Sequence, residues 1–184
     1  MAYKENTLNY IVKSKKKNTR ILILYTVKYN KKAKKLKDLK MYTVYLGGEI
    51  HSNWREEIIT GCKDYDIRFL TPERDHASSD DIGKDVVGDQ GSDFYNDHVS
   101  AKINSMRGHT YIQKADIVVV KFGEKYKQWN AAFDAGYAKA LDKKLIVIHP
   151  EEFIHALKEI DASASAVVKS EAQVVDILKH LVRE

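Results

Sequence analysis

The chain has 184 residues, a formal net charge of +5, one cysteine, two prolines and nine glycines. That length suits one domain of ordinary size with a sizeable core. The lone Cys62 excludes a disulfide framework and a cysteine-based zinc finger, and it fits a reducing, cytoplasmic compartment. No stretch approaches the roughly 20 apolar residues that span a bilayer.

The charge is unevenly spread. Residues 1–40 hold 13 Lys/Arg against Glu5 and Asp38, a net of +11, whereas residues 41–184 carry 18 basic against 24 acidic side chains, a net of −6. The basic balance that invites a nucleic-acid reading therefore belongs to a leader, and the domain behind it is acidic. The leader has Lys runs and one short apolar run, Ile21 to Val27. Its like charges repel, and it offers too little apolar surface to offset the entropy of ordering. Three readings stand: a disordered extension, an organellar targeting segment, or a basic arm for RNA or an anionic membrane. Targeting segments favour Arg and Ser, and Arg20 is the only Arg here. Met41, directly before the first strand-like segment, could also serve as an internal start.

From Met41 onward, strand-like and helix-like patterns alternate. YTVYLGG (42–48) reads as a strand ending in two glycines. Asn53 with Glu56 three residues on resembles a capping box, opening a helix over Trp54, Ile58, Ile59 and Cys62. IRFL (67–70) is a short strand. The following segment, 71–97, has eight acids against two basic residues and reads as a long loop. It is a solvated acidic loop, a substrate lid or, through Asp75, His76, Asp80, Asp81, Asp93, Asp97 and His98, a metal site. Its spacing matches neither an EF-hand nor a zinc signature, so no metal is expected. Val99, Ile103 and Met106 recur at helical spacing through about residue 113.

ADIVVVKF (115–122) is a strand of the buried type, rich in β-branched residues. Residues 130–141 read as a helix, LIVIH (145–149) as another apolar strand, 151–158 as a short helix, and AVV (166–168) as a last strand. Ser170 and Gln173 cap a final helix whose face holds Val174, Ile177, Leu178 and Leu181. Continuous apolar strands alternating with helices predict a doubly wound parallel α/β domain of about five strands, with three α/β/α layers. Ligands in such folds bind beyond the carboxyl ends of the strands, which selects the segments 47–55, 71–97 and 122–134.

Two of these segments carry chemistry. YLGGEIHSNWRE (45–56) is a strand, a paired-glycine turn and a helix start. Glycine there allows close backbone approach, and a helix N-terminus favours an anion or sugar hydroxyls. Any tight strand-to-helix turn could use the same pair. In FGEKYKQWNAAFDAGYAKA (122–140), Asp134 falls in the early turns of a helix among Ala131, Ala132, Phe133, Ala135 and Tyr137. Burial raises such a carboxyl's pKa, and the helix N-terminus lowers it. A plain role in stabilising the helix dipole competes with a chemical one.

At these segments the sequence resembles the YtoQ-type family of the nucleoside 2-deoxyribosyltransferase superfamily, over essentially residues 41–184. The resemblance rests on LGGEIHSNWREEI, ADIVVV and FGEKYKQWNAAFDAGYA. It implies a flavodoxin-like parallel sheet, a homodimer or larger homo-oligomer, no cofactor, and N-glycosidic chemistry in which a carboxylate attacks the anomeric carbon. Tyr45, Gly47, Gly48, Glu49 and Ile50 match the superfamily's first-strand turn beside sugar and base. DAGYA matches E-x-G-Y-A, whose Glu is the nucleophile, so that role passes to Asp134. Three positions depart from the pattern: Asp134 is one methylene shorter than Glu, Gln128 stands where relatives place Asp or Ser, and Gly108, beside Arg107 and His109, replaces a base-positioning Asp.

Two hypotheses follow from the resemblance. As an enzyme, the domain would cleave or transfer the N-glycosidic bond of a nucleoside or nucleoside 5′-monophosphate. Asp134 would attack C1′, and Arg107, His109 or His51 would serve the departing base. Asn53, Trp129 and Asn130 would frame the sugar and stack the base, with Gly123 and Gln128 in the loop beside them. As a binding module, the same pocket would sense a nucleotide or ribosylated metabolite and turn nothing over. Arg55, Arg107 and the glycine turn favour 5′-phosphates, though Arg55 reads equally as a solvated helix residue.

Overall fold

A computed structural model of the protein describes residues 41–72, 76–124 and 129–183. The leader of residues 1–40 and Gln128 lie outside the described residues. Five strands form one sheet: β1 (Tyr42–Gly48), β2 (Ile67–Leu70), β3 (Ile117–Lys121), β4 (Lys144–Ile148) and β5 (Ala166–Val168). Their order is β2-β1-β3-β4-β5 and every pairing is parallel. This is the flavodoxin-like order, whose switch point lies between β1 and β3.

The helices are α1 (Trp54–Gly61), α2 (His76–Val87), α3 (Asp93–Lys114), α4 (Trp129–Ala140), α5 (Ile154–Ser163) and α6 (Glu171–Val182). Alternation along each strand sends side chains to opposite faces, and here both faces are covered. Val44, Leu46, Ile117, Val119, Ile146 and Ile148 point to the α1/α6 side, where they meet Trp54, Ile58, Val174 and Leu178. Tyr45, Val118, Val120, Leu145 and Val147 point the other way, onto Ile112 of α3 and Ala131, Ala135 and Ala138 of α4. The continuous apolar strands are thus explained by double coverage. The small face of α4 explains how that helix comes close to the sheet.

The predicted fold class agrees with this architecture, and two local expectations do not. First, Asn53 occupies the N-cap of α1 but makes no side-chain cap hydrogen bond, so the capping box does not form. Second, the segment 71–97 is not a long loop. It contains all of α2, a turn at 88–92, and the start of α3. The helix expected over Val99, Ile103 and Met106 is present as part of α3, in which Met106 is exposed and Ser100, Gly108 and Ile112 are the buried positions.

The α2–α3 hairpin escapes apolar periodicity because polar and small residues hold it. Gly83 N–H donates to Ser100 Oγ at 2.9 Å, and Ser100 Oγ donates to the Asp80 carbonyl. Asn104 Nδ2 donates to the Ser79 carbonyl at 2.9 Å. At the turn, Gly88 and Gly91 adopt φ of +83° and +82°, conformations that glycine takes without Cβ strain. The final helix follows its sequence signal: Ser170 Oγ accepts from Gln173 N–H, and Val174 and Leu178 are buried.

Candidate active site

The site begins with the end of β1. Gly48 pairs with Lys121 of β3 and adopts φ +103°, and a Cβ there would lie 2.2 Å from the Lys121 carbonyl oxygen. The second glycine of the pair is therefore required by the backbone itself. At Gly47 a Cβ would meet Tyr45 Cε1 at 2.7 Å and Asp134 Oδ2 at 3.0 Å. The first glycine makes room for site side chains, so the two have different physical reasons.

Arg55, from the first turn of α1, locks this turn. It is almost wholly buried, and its Nε and Nη2 donate to the Leu46 and Gly48 carbonyls at 3.1 and 3.0 Å. Its guanidinium stacks over the Trp54 ring at 4.7 Å, and Trp54 Nε1 in turn donates to the Glu49 carbonyl. A side chain that sequence left as possibly solvated is a buried organiser of the strand end.

Asp134 approaches from α4. Tyr45 Oη donates to Asp134 Oδ2 at 3.3 Å, joining residues from two elements on one face of the sheet. Burial pushes the Asp134 carboxyl up to about 6, against smaller lowering by the Tyr45 hydrogen bond and the charges of His109 and Arg55. The Tyr45 hydroxyl is pushed well above its ordinary range by burial first and then by the neighbouring Asp134 charge. A carboxyl raised by burial at the wall of a cleft is a candidate for a functional group.

Both groups face a cavity of ≈ 550 Å³ at the carboxyl edge of the sheet, bounded on the far side by the α2–α3 hairpin. Gly48, Ile50, His109 and Asn130 line it together with Tyr45 and Asp134. His109 lies with its ring 5.4 Å from Phe133 and 4.5 Å from Tyr137. The cavity is also lined by Arg55, which the sequence offered for a 5′-phosphate, by Asp80 and Asp97 of the acidic segment, and by Phe133, Ser79 and Asn104, to which the sequence assigned no role. The acidic segment was selected as a ligand-side segment, but it read as loop and not as a helix pair. Among the described residues no group of three His, Cys, Asp or Glu side chains is placed to hold a metal ion.

The other predicted residues lie elsewhere. Glu49, His51 and Gly123 line a second cavity of ≈ 310 Å³ on the other side of the glycine turn. There the buried Glu49 carboxylate accepts from the His51 N–H and the Ser52 hydroxyl, which makes it a brace of the turn. Asn53 is exposed at the N-cap of α1. Arg107 stacks over Tyr111 at 5.7 Å and is half-buried beside the cavity. Trp129, the first residue of α4, is 72% exposed and outside the cavity lining.

No helix among the described residues is long and apolar enough to cross a membrane. The uncharacterized protein YtoQ of Bacillus subtilis (strain 168) is 44% identical over 142 residues, covering 76% of this chain and 96% of that one. A conserved protein from Enterococcus faecalis V583 shares the fold, with a TM-score of 0.52, 15% identity, and 77% and 99% of the two chains covered. The 2-deoxyribosyltransferase of Bacillus psychrosaccharolyticus superposes with a TM-score of 0.49 and 17% identity, over 72% of this chain and 90% of that one. The family model described as nucleoside 2-deoxyribosyltransferase YtoQ matches residues 45–182, a span that holds the glycine turn, the Tyr45–Asp134 pair and the hairpin, and the chain belongs to that family.

Proposed function

We propose that the domain cleaves or transfers the N-glycosidic bond of a nucleoside or nucleoside 5′-monophosphate, with Asp134 as nucleophile. The observation that carries this reading is the Asp134 carboxyl, raised to about 6 by burial and held by Tyr45 at the wall of the cavity. Ionised at neutral pH but poorly solvated, it suits attack on an electrophilic carbon. In the proposed step an Asp134 oxygen bonds to C1′ as the C1′–N bond breaks through an oxocarbenium-like transition state. The bonding pair leaves on the base nitrogen, which takes a proton. Among the described residues His109 is the histidine that lines the cavity, and so the first candidate to supply that proton. Water or a second base then takes the sugar and restores the carboxylate. No cofactor enters this sequence, and a homodimer or larger homo-oligomer belongs to the same proposal.

The test is Asp134→Asn incubated with a panel of nucleosides and 5′-monophosphates, read by chromatography of released base. Loss of release by at least ~10³-fold, with the far-UV circular dichroism unchanged, is the expected outcome for a nucleophile. Full activity in the variant removes the assignment. Thermal stabilisation of the wild type by a panel member without any base release favours the sensing module instead.

A further inference from the structure

Three rings line the cavity among its described residues, those of Tyr45, His109 and Phe133. The Tyr45 ring is almost completely buried, and its hydroxyl is committed to Asp134. His109 packs against both Phe133 and Tyr137, at interplanar angles of 27° and 37°, the three ring centroids forming a triangle with sides of 5.4, 4.5 and 6.5 Å. Phe133 is different. Its ring stacks on His109, lies within 11° of parallel to Tyr137, and is still 60% exposed.

An exposed phenyl group gains nothing from water. Here its orientation is set by the stack behind it, so its outward face is held ready for a ring before any ligand arrives. Its place in the chain adds a distance constraint. Phe133 precedes Asp134 directly, and consecutive Cα atoms lie about 3.8 Å apart. A base and the carbon its sugar presents to a nucleophile are joined by a single covalent bond. The two protein groups that receive them must therefore be near neighbours facing one cavity, as Phe133 and Asp134 are.

We infer that Phe133 is the stacking platform for the heteroaromatic base of the substrate, backed by His109 and Tyr137. This rests on the nucleoside reading above and names the residue that selects a planar ring. It also moves the stacking role from Trp129, which lies outside the cavity lining, to a residue that lines it. Base–aromatic stacking is tolerant of base identity because every base has a π-face. The platform accordingly selects aromatic bases as a class, and leaves the choice among them to the polar lining.

Binding of adenine and of 2′-deoxyadenosine to the full chain, measured by calorimetry, tests the inference. Phe133→Ala should weaken both by about tenfold to a hundredfold, the range that removing one stacking partner produces. In turnover it should raise KM by a similar factor and leave kcat within about twofold, because stacking is made equally in the ground and transition states. Phe133→Trp should restore binding, with its emission quenched by adenine. Phe94→Ala, which removes a 72% exposed ring outside the cavity lining, should change neither affinity. Unchanged affinity in Phe133→Ala overturns the inference, as does a larger loss in Trp129→Ala. So does a change in sedimentation alone, which would make the ring a subunit contact. Adenine binding that depends on Phe133 without base release would keep the platform and reject the glycosyl-transfer reading. Base release that needs Asp134 but not Phe133 would do the reverse.

Discussion

The cavity has two walls built by different physics. On the sheet side, Tyr45, Gly48 and Asp134 sit on elements welded into an apolar core that includes Ile112, Val118, Val120 and Ala135. On the other side the α2–α3 hairpin is closed by hydroxyl, amide and glycine contacts, with Gly83 and Ser100 as its tightest point. The exposed Val86, Val87, Phe94 and Tyr95 show how little apolar area the end of this hairpin around its turn buries, whereas the far end of α3 joins the core through Ile112. Elements with few buried apolar contacts open at the low end of the free-energy range. The chemistry proposed for Asp134 would therefore rest on the apolar wall, and the polar-held hairpin is the wall expected to open first.

Substitution at the rigid wall should have the largest effect. Gly48→Ala combines a backbone at φ +103° with a Cβ 2.2 Å from a carbonyl oxygen and 2.8 Å from an amide nitrogen, both of Lys121. Neither atom belongs to a flexible side chain, so β1 and β3 must part. Strain and overpacking together should cost about 3–5 kcal/mol, read as a fall in chemical-denaturation midpoint and loss of soluble expression. A midpoint within error of the wild type would mean that the turn can flip to another conformation.

The next effect is electrostatic and belongs to the same wall. The Asp134 carboxyl has an ordinary value of 3.8 and is raised to about 6 in the fold. Below about pH 3 it is protonated in both folded and unfolded chains and adds no pH dependence. As pH rises through 6, the unfolded chain has already released its proton and the folded chain must ionise a buried group, so stability is lost. At 1.36 kcal/mol per unit, that loss reaches about 3 kcal/mol by neutral pH. Asp134→Asn does not titrate there and should be increasingly more stable than the wild type from pH 4 to pH 7. Base release should rise over the same window, since attack needs the ionised carboxylate. Parallel stability profiles for the two proteins would show that the carboxyl is better solvated than its surroundings indicate.

How legible these walls were in sequence follows from the same contrast. The parallel sheet of about five strands came from apolar runs such as ADIVVVKF and LIVIH, because double coverage leaves no polar face to blur them, whereas its flavodoxin-like arrangement was implied by the family resemblance. Asp134 stood out as a carboxylate among small apolar residues, while its role as nucleophile and the place of Tyr45 beside sugar and base came from the family resemblance. The hairpin did not stand out. A helix pair closed by Gly83, Ser100 and Asn104 has no hydrophobic stripe to find, and eight acids suggested loop. Arg55 was ambiguous for a related reason. Nothing in a helix-start Arg announces that its donors turn inward to the Leu46 and Gly48 carbonyls. Trp129, an aromatic beside Asn130, reads as a stacking residue but lies outside the cavity lining, whereas Phe133 lines it together with Tyr45 and His109.

Gly83→Ala probes the yielding wall alone. A Cβ at Gly83 would lie 2.7 Å from both the Ser100 amide nitrogen and its hydroxyl oxygen, and 3.1 Å from the Asn96 carbonyl oxygen. Replacing Gly inside a helix by Ala gains up to about 1 kcal/mol in propensity, and overpacking against backbone costs about 1–3 kcal/mol. The balance falls on the hairpin, because α2 must move off α3 and the Gly83 N–H to Ser100 hydrogen bond must lengthen. Amide exchange across 76–104 should then speed by about tenfold, the rate factor for 1.4 kcal/mol of lost protection, while 117–121 in β3 keeps the wild-type rate. Global stability should change little, since the apolar core is untouched. If β3 exchanges faster as well, the two walls are one cooperative unit. If neither segment changes, the hairpin is not held at Gly83, and its closure must depend instead on the Asn104 amide and the turn at 88–92.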